Sequence, residues 1–309
     1  MTAAPVRARQ LRHVISVAQF DRQLLDHVFE RAAGLEGVRD DRLHGRIMAA
    51  LFYEPSTRTR LSFESAMARF GGATIGTEAA HQFSSAYKGE TLEDTVRMAA
   101  GYADVIVLRH DELGAAARAA AVSEVPVINA GDGPGEHPTQ ALLDLYTIRT
   151  ELGRLDGLHV VLCGDLRFGR TARSLALMLT LYRDVRLTFV APEVVQIGAD
   201  IRERLDDLGI EYRLTDTLST ALAEADVVYQ TRIQHERFRD PAEFSAARGD
   251  TRIDAALMRQ LPEHAIVMHP LPRVDEITPE VDADSRAAYF RQARNGVVIR
   301  MALLDMLLG

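Results

Sequence analysis

The chain has 309 residues, 47% of them hydrophobic and 26% charged, enough to bury the cores of two domains of about 150 residues each. Its 36 Lys and Arg stand against 44 Asp and Glu; a net charge of −8 gives a nucleic-acid or anionic-membrane partner no global electrostatic support, so any anion site must be local. One cysteine, Cys163, excludes an internal disulfide framework, no apolar run approaches the roughly 18 residues of a membrane span, and the N-terminal segment with Arg7, Arg9 and Arg12 lacks a signal-like apolar stretch, so the expected compartment is the cytoplasm.

In chain order, short apolar runs alternate with helical patterns. Arg46 to Phe52 (RIMAALF) reads as a strand, and Phe63, Ala66, Met67 and Phe70 recur at i, i+3, i+4 and i+7 as a buried helix face. Between them, Ser56-Thr57-Arg58-Thr59-Arg60 packs three hydroxyls and two guanidinium groups into a strand-to-helix turn. A helix cap needs only one hydroxyl. This density of donors, added to the first-turn N–H groups and the positive end of the helix dipole, suits an oxyanion, and phosphate above all. Farther on, Glu90, Glu93 and Asp94 open a helix with Leu92, Thr95, Val96 and Ala99 on one face. Lys88 precedes it in a Ser- and Gly-containing loop, where spacing alone makes it a solvated charge.

Asp104 to Arg109 (DVIVLR) and Val125 to Ala130 (VPVINA) read as the next strands. A glycine-rich loop then leads into a helix at Pro138, the favoured first helical residue, with His137 at or beside the N-cap. The helix dipole and nearby arginines disfavour imidazolium there, leaving a neutral ring that donates one hydrogen bond. Gln140, one turn in, can accept from an amide and donate to a carbonyl at once.

The second half repeats the alternation, with strands at Leu158 to Cys163, Val185 to Val190, Asp226 to Gln230 and Ala265 to His269. Cys163 lies inside HVVLC and reads as a core thiol rather than a nucleophile. GDLRFGRT (164 to 171) misses the P-loop pattern because Arg170 stands where the compact lysine is required, and an arginine at a strand-end turn suits a carboxylate instead. Arg232 and Gln234 follow the strand at 226 to 230. The Pro-rich turn Pro270-Leu271-Pro272 presents carbonyl oxygens that can hold an NH2 group or an amine. There is no GxGxxG fingerprint, and the ten histidines and one cysteine show no zinc spacing, so neither cofactor nor metal is expected.

The expected fold class is α/β: two doubly wound parallel-sheet domains with a cleft between them, ligands binding beyond the strand carboxyl ends. A boundary near Thr150 to Arg154 gives domains 1–149 and 150–285, and the mostly helical tail from about 286 to 309, with Leu303, Leu304 and Leu307 apolar, packs back on the first.

STRTR from Ser56, Lys88 followed by GETL, HPTQALLDL from His137, GDLRFGRT from Gly164, TRIQHER from Thr231 and HPLPRVDEI from His269 occur in that order. From about residue 10 onward the chain resembles the catalytic chains of the aspartate carbamoyltransferase family. That resemblance implies transfer of a carbamoyl group from carbamoyl phosphate to L-aspartate, giving N-carbamoyl-L-aspartate and phosphate in pyrimidine synthesis, without cofactor or metal. It implies that Ser56, Thr57, Arg58 and Thr59 bind the phosphate, and that Arg109 and His137, with Thr59, hold the carbonyl oxygen. Gln140 and the main-chain carbonyls around Pro270 and Leu271 take the carbamoyl NH2. Arg170, Arg232 and Gln234 receive the aspartate carboxylates, with Lys88 and Leu271 also at that substrate.

The same resemblance implies a homotrimer with shared active sites, Lys88 and Ser84 reaching into the neighbour's. Ser84 is taken over the adjacent Ser85 because it lies four residues before Lys88. Regulatory chains accompany the family in some lineages and not in others, which leaves a regulatory partner or a larger assembly open. The nearest rival, the ornithine carbamoyltransferase family, shares the phosphate turn, but Arg170, Arg232 and HPLP favour aspartate. A non-catalytic scaffold would not need every catalytic match intact. Arg60, one residue past Thr59, is expected to turn toward structure or a neighbouring acid.

Overall fold

A computed structural model describes residues 11–78, 89–235, 238, 240–249 and 251–309. The chain forms two compact units, the first running up to Thr139 and including Val297–Gly309, the second spanning Gln140–Gly296.

In the first unit, α1 (Arg22–Ala33) precedes β1 (Ile47–Phe52), α2 (Thr57–Arg69), β2 (Ala73–Glu78), α3 (Leu92–Ala100), β3 (Val105–His110), α4 (Ala115–Val122) and β4 (Val127–Asp132), after which α5 (Pro138–Leu152) begins. The strands form one parallel sheet in the order β2-β1-β3-β4. The inner strands are apolar because both faces are covered; Met48, Val105, Ile106 and Val107 are wholly buried. Local chemistry sets the helix starts. Asp21 accepts from Leu24 N at 2.8 Å to cap α1, and Thr91 accepts from Asp94 N at 3.1 Å to cap α3.

The second unit continues through β5 (His159–Cys163), α6 (Arg170–Leu179), β6 (Arg186–Val190), α7 (Ala199–Asp207), β7 (Glu211–Thr215), β8 (Val227–Gln230), α8 (Pro241–Ala247), α9 (Ala255–Met258), β9 (Ile266–Met268) and the start of α10 (Tyr289–Leu308). Its sheet is also parallel, in the order β7-β6-β5-β8-β9. The α/β class with parallel sheets is therefore as expected, and every strand expected from an apolar run is present.

Two strands were not expected, β2 (ATIGTE) and β7 (EYRLT). Both are sheet edges, and their residues are exposed or only half-buried. An edge strand buries too little to need an apolar run, so that signal missed them. The opposite edges are covered: Val14 pairs along β4, with Val14 N to Val127 O at 2.8 Å, and Arg286 and Ala288 pair along β9 through Val267.

The last residues of α10 pack within the first unit. Asp305, buried, accepts from Arg31 Nε and from Arg42 Nη1 at 3.2 Å, and buried Arg300 lies over the Phe63 ring, 5.0 Å from its centroid. Leu303 and Leu304 are wholly buried. Among the described residues, no helix is long and apolar enough to cross a membrane.

Cys163 is wholly buried in the core with Val161, Val190 and Val228, where burial pushes its thiol far above the ordinary range. The thiol should be inert to Ellman's reagent in the native protein and titrate as one group per chain in guanidinium, readable by absorbance.

Candidate active site

In the first unit the sequence-predicted donors stand at the carboxyl ends of three neighbouring strands. Chain leaving β1 turns through Glu54 and Pro55 into α2, whose N-cap is Ser56. Ser56 makes no side-chain capping bond, and no acidic residue occupies the first turn. The positive end of the dipole is thus left without a built-in anion. Thr57 and Arg58 are exposed, Ser56 is half-buried and Thr59 is buried.

Arg109 belongs to β3, next to β1, and is paired with Phe52 in the sheet register. Its Nη1 donates to Ala130 O at 3.2 Å, and its Nη2 lies 3.3 Å from Glu54 Oε2. The main-chain oxygen comes from β4 and the carboxylate from the β1 turn, so one guanidinium is braced from both sides. Glu54 braces Arg109 without any local pattern marking it, because its partner comes from another strand. His137, 4% exposed, immediately precedes α5, with Nδ1 3.5 Å from Thr139 Oγ1. Arg60 stands apart, as expected: its Nε pairs with Glu64 at 2.7 Å and its Nη1 with Glu78 at 2.8 Å.

In the second unit the predicted residues again follow adjacent strands, here β5, β8 and β9. Gly164 follows β5 at φ +102°, and a Cβ there would come within 2.1 Å of Thr231 O, so only glycine lets the β5 and β8 ends approach so closely. Wholly buried Asp165 then accepts from Phe168 N at 2.9 Å and from Gln234 N at 3.3 Å. One carboxylate thereby ties the turn that presents Arg170, the first residue of α6, to the loop carrying Arg232 and Gln234. No local pattern marked Asp165, because its second partner is distant in sequence.

After β9, Leu271 adopts φ +55°, a costly conformation for a side-chain-bearing residue. It is held by Leu271 N donating to His269 Nδ1 at 2.7 Å, while His269 Nε2 pairs with Glu276 Oε1 at 2.8 Å. Gln140, in the first turn of α5, donates through Nε2 to Asp144 Oδ1 at 2.8 Å. Ser84 and Lys88 lie outside the described residues. Among the described residues, no group of three or more His, Cys, Asp or Glu converges as metal ligands would.

This arrangement can bind anions at helix starts and strand ends. Known proteins resemble this chain in sequence and fold. The family description "Aspartate/ornithine carbamoyltransferase, carbamoyl-P binding domain" matches residues 12–150, and "Aspartate/ornithine carbamoyltransferase, Asp/Orn binding domain" matches 156–307. The chain is 56% identical over 305 residues to a chloroplastic aspartate carbamoyltransferase of Arabidopsis thaliana, covering 97% of this chain and 78% of that protein. It is 50% identical to the aspartate carbamoyltransferase catalytic subunit of Hyperthermus butylicus, covering 96% of each. Among solved structures, the aspartate transcarbamoylase of Trypanosoma cruzi in complex with N-(phosphonacetyl)-L-aspartic acid superposes with a TM-score of 0.92 at 42% identity, covering 99% of this chain and 98% of that one.

The His269–Glu276 pair that braces the Leu271 turn has a pH signature. Burial would raise the Glu276 carboxyl, but the hydrogen bond from His269 and main-chain N–H groups outweigh it and hold the group below its ordinary 4.5. Its contribution to stability is therefore fully present above that value and lost as pH falls through the lower folded-state value. Glu276→Gln should destabilise the protein by about 1–3 kcal/mol at pH 7. In urea titrations the gap from wild type should close at pH values well below 4.5.

Proposed function

Because the chain belongs to the aspartate/ornithine carbamoyltransferase family, we infer that it transfers the carbamoyl group of carbamoyl phosphate to the amine of L-aspartate, giving N-carbamoyl-L-aspartate and phosphate in de novo pyrimidine synthesis. The observation that carries this reading is the uncapped start of α2 at Ser56 to Thr59, which follows a strand next to the one that carries the braced Arg109. The relatives named above are aspartate carbamoyltransferases, and a further Trypanosoma cruzi aspartate transcarbamoylase structure, 42% identical, holds carbamoyl phosphate and aspartate.

On this reading residues 1–149, with the C-terminal helix, bind carbamoyl phosphate and residues 150–285 bind aspartate. Ser56, Thr57, Arg58 and Thr59 take the phosphate. Arg109, His137 and Thr59 donate to the carbamoyl oxygen. Gln140 and the carbonyls at Pro270 and Leu271 accept from the NH2, while Arg170, Arg232 and Gln234 receive the two carboxylates beside Leu271. The deprotonated amine of aspartate attacks the carbamoyl carbon, and the C=O electron pair moves onto oxygen, where fixed N–H donors stabilise the charge. Collapse breaks the C–O bond to phosphate, and the departing phosphate accepts the amine proton. Positioning and preorganised donors then supply most of the rate, and no covalent enzyme intermediate forms.

Two arginines at the second-substrate loops favour a dicarboxylate over ornithine, whose side chain ends in an amine. The reading also includes a homotrimer in which Ser84 and Lys88 of one chain serve the neighbour's site. A reducing compartment suits the lone buried thiol, and we assign the cytoplasm; the plastid named in plant relatives is the alternative that cell fractionation separates.

Purified protein given carbamoyl phosphate should release phosphate with L-aspartate and not with L-ornithine; release with ornithine alone, or with neither, overturns the assignment. His137→Ala should lower kcat about a hundredfold while changing carbamoyl phosphate binding much less. Unchanged turnover would remove its role at the oxyanion. Light scattering should give three chains per particle, or a multiple of three.

A further inference from the structure

We propose that Asp144 is a positioning residue that fixes the acceptor polarity of the carbamoyl-amine pocket, and so lets the enzyme choose NH2 over a methyl group of the same size. This rests on the roles given above to Gln140, Pro270 and Leu271. Asp144 lies one turn after Gln140 on α5 and is wholly buried. Its Oδ1 accepts from Gln140 Nε2 at 2.8 Å and from Gln292 Nε2 at 2.7 Å, and its Oδ2 accepts from the buried Tyr229 hydroxyl at 2.8 Å. Three elements, α5, β8 and α10, thus converge on one carboxylate.

The consequence follows from donor and acceptor counts. A glutamine amide has two faces that differ by a half-turn, one offering NH2 and the other oxygen. With Oδ1 accepting from both amides, Gln140 turns Nε2 toward Asp144 and keeps Oε1 for another donor. Without that carboxylate the flipped amide would present NH2 to the substrate's NH2, two donors facing each other.

A second arm reaches the other acceptors. Gln292 gives Nε2 to Asp144, and its Oε1 accepts from His269 N at 2.9 Å. His269 Nδ1 in turn accepts from Leu271 N, so the strained turn is tied back to the same carboxylate. The chain Asp144, Gln292, His269, Leu271 aligns the Pro270 and Leu271 carbonyls while Asp144 orients Gln140. Both acceptor sets for the NH2 are held by one buried group that need not touch substrate.

The test compares carbamoyl phosphate with acetyl phosphate, which carries CH3 in place of NH2, by calorimetric titration of the full-length protein, with inorganic phosphate as a control. Wild type should bind carbamoyl phosphate more tightly than acetyl phosphate. Asp144→Ala should narrow that ratio about tenfold, the worth of a misdirected buried hydrogen bond, with inorganic phosphate affinity held within about twofold. Asp144→Asn, which can keep an oxygen toward Gln140 and Gln292, should restore the ratio to within about threefold of wild type. A folded Asp144→Ala that keeps the full ratio overturns the proposal, as does one that loses all three ligands alike, the mark of a merely structural role. Should Asp144→Ala fail to fold, Gln292→Met, which cuts only the second arm, should narrow the ratio about threefold, and an unchanged ratio overturns the proposal. A wild-type protein without the preference would instead defeat the underlying reading of the site.

Discussion

Parallel strand direction is the constraint on which the rest of this protein depends. Within each sheet every strand runs the same way, so within each unit all strand carboxyl ends emerge along one edge. A crossover helix must start near that edge, and its first turn brings N–H groups with no internal partner and a partial positive charge. In the first unit this sets the start of α2 next to the end of β3, and so Ser56 to Thr59 near Arg109. In the second it gathers the loops after β5, β8 and β9, which carry Arg170, Arg232 and Leu271. A chain with a net charge of −8 can bind anions because topology concentrates its cationic ends locally.

Acidic side chains complete the arrangement. Glu54 braces Arg109, Asp165 joins the Arg170 turn to Gln234, Glu276 holds His269, and Asp144 collects Gln140, Tyr229 and Gln292. Asp144, Asp165 and Glu276 are buried, and since an isolated buried carboxylate is costly, each of these three stands where two or more donors converge on it. That convergence fixes the strand-end loops. The cations proposed to bind anions and the acids that hold them are therefore of opposite charge.

The central strands were legible because a strand covered on both faces must be an unbroken apolar run, as HVVLC at β5 is. The edge strands β2 and β7 were not, since half-exposed backbone tolerates polar residues. Helix starts at Ser56 and Pro138 could be read from local chemistry, and Arg60, one residue past Thr59, turns to neighbouring acids as expected. Asp144, Asp165 and Glu54 could not be read the same way. Each lies inside or beside a quoted motif, yet its role depends on a partner brought in by the fold, such as Gln292 on α10 or Gln234 after β8.

The central claim, that two sets of strand-end cations serve one reaction on a phosphate and a dicarboxylate, is tested most directly by calorimetric titration with N-(phosphonacetyl)-L-aspartic acid, which joins both anionic parts in one molecule. The account predicts saturable binding of one ligand per chain, weakened at least about a hundredfold by Arg58→Ala and, separately, by Arg232→Ala. Binding that survives either substitution unchanged, or no binding at all to the wild-type protein, would contradict it.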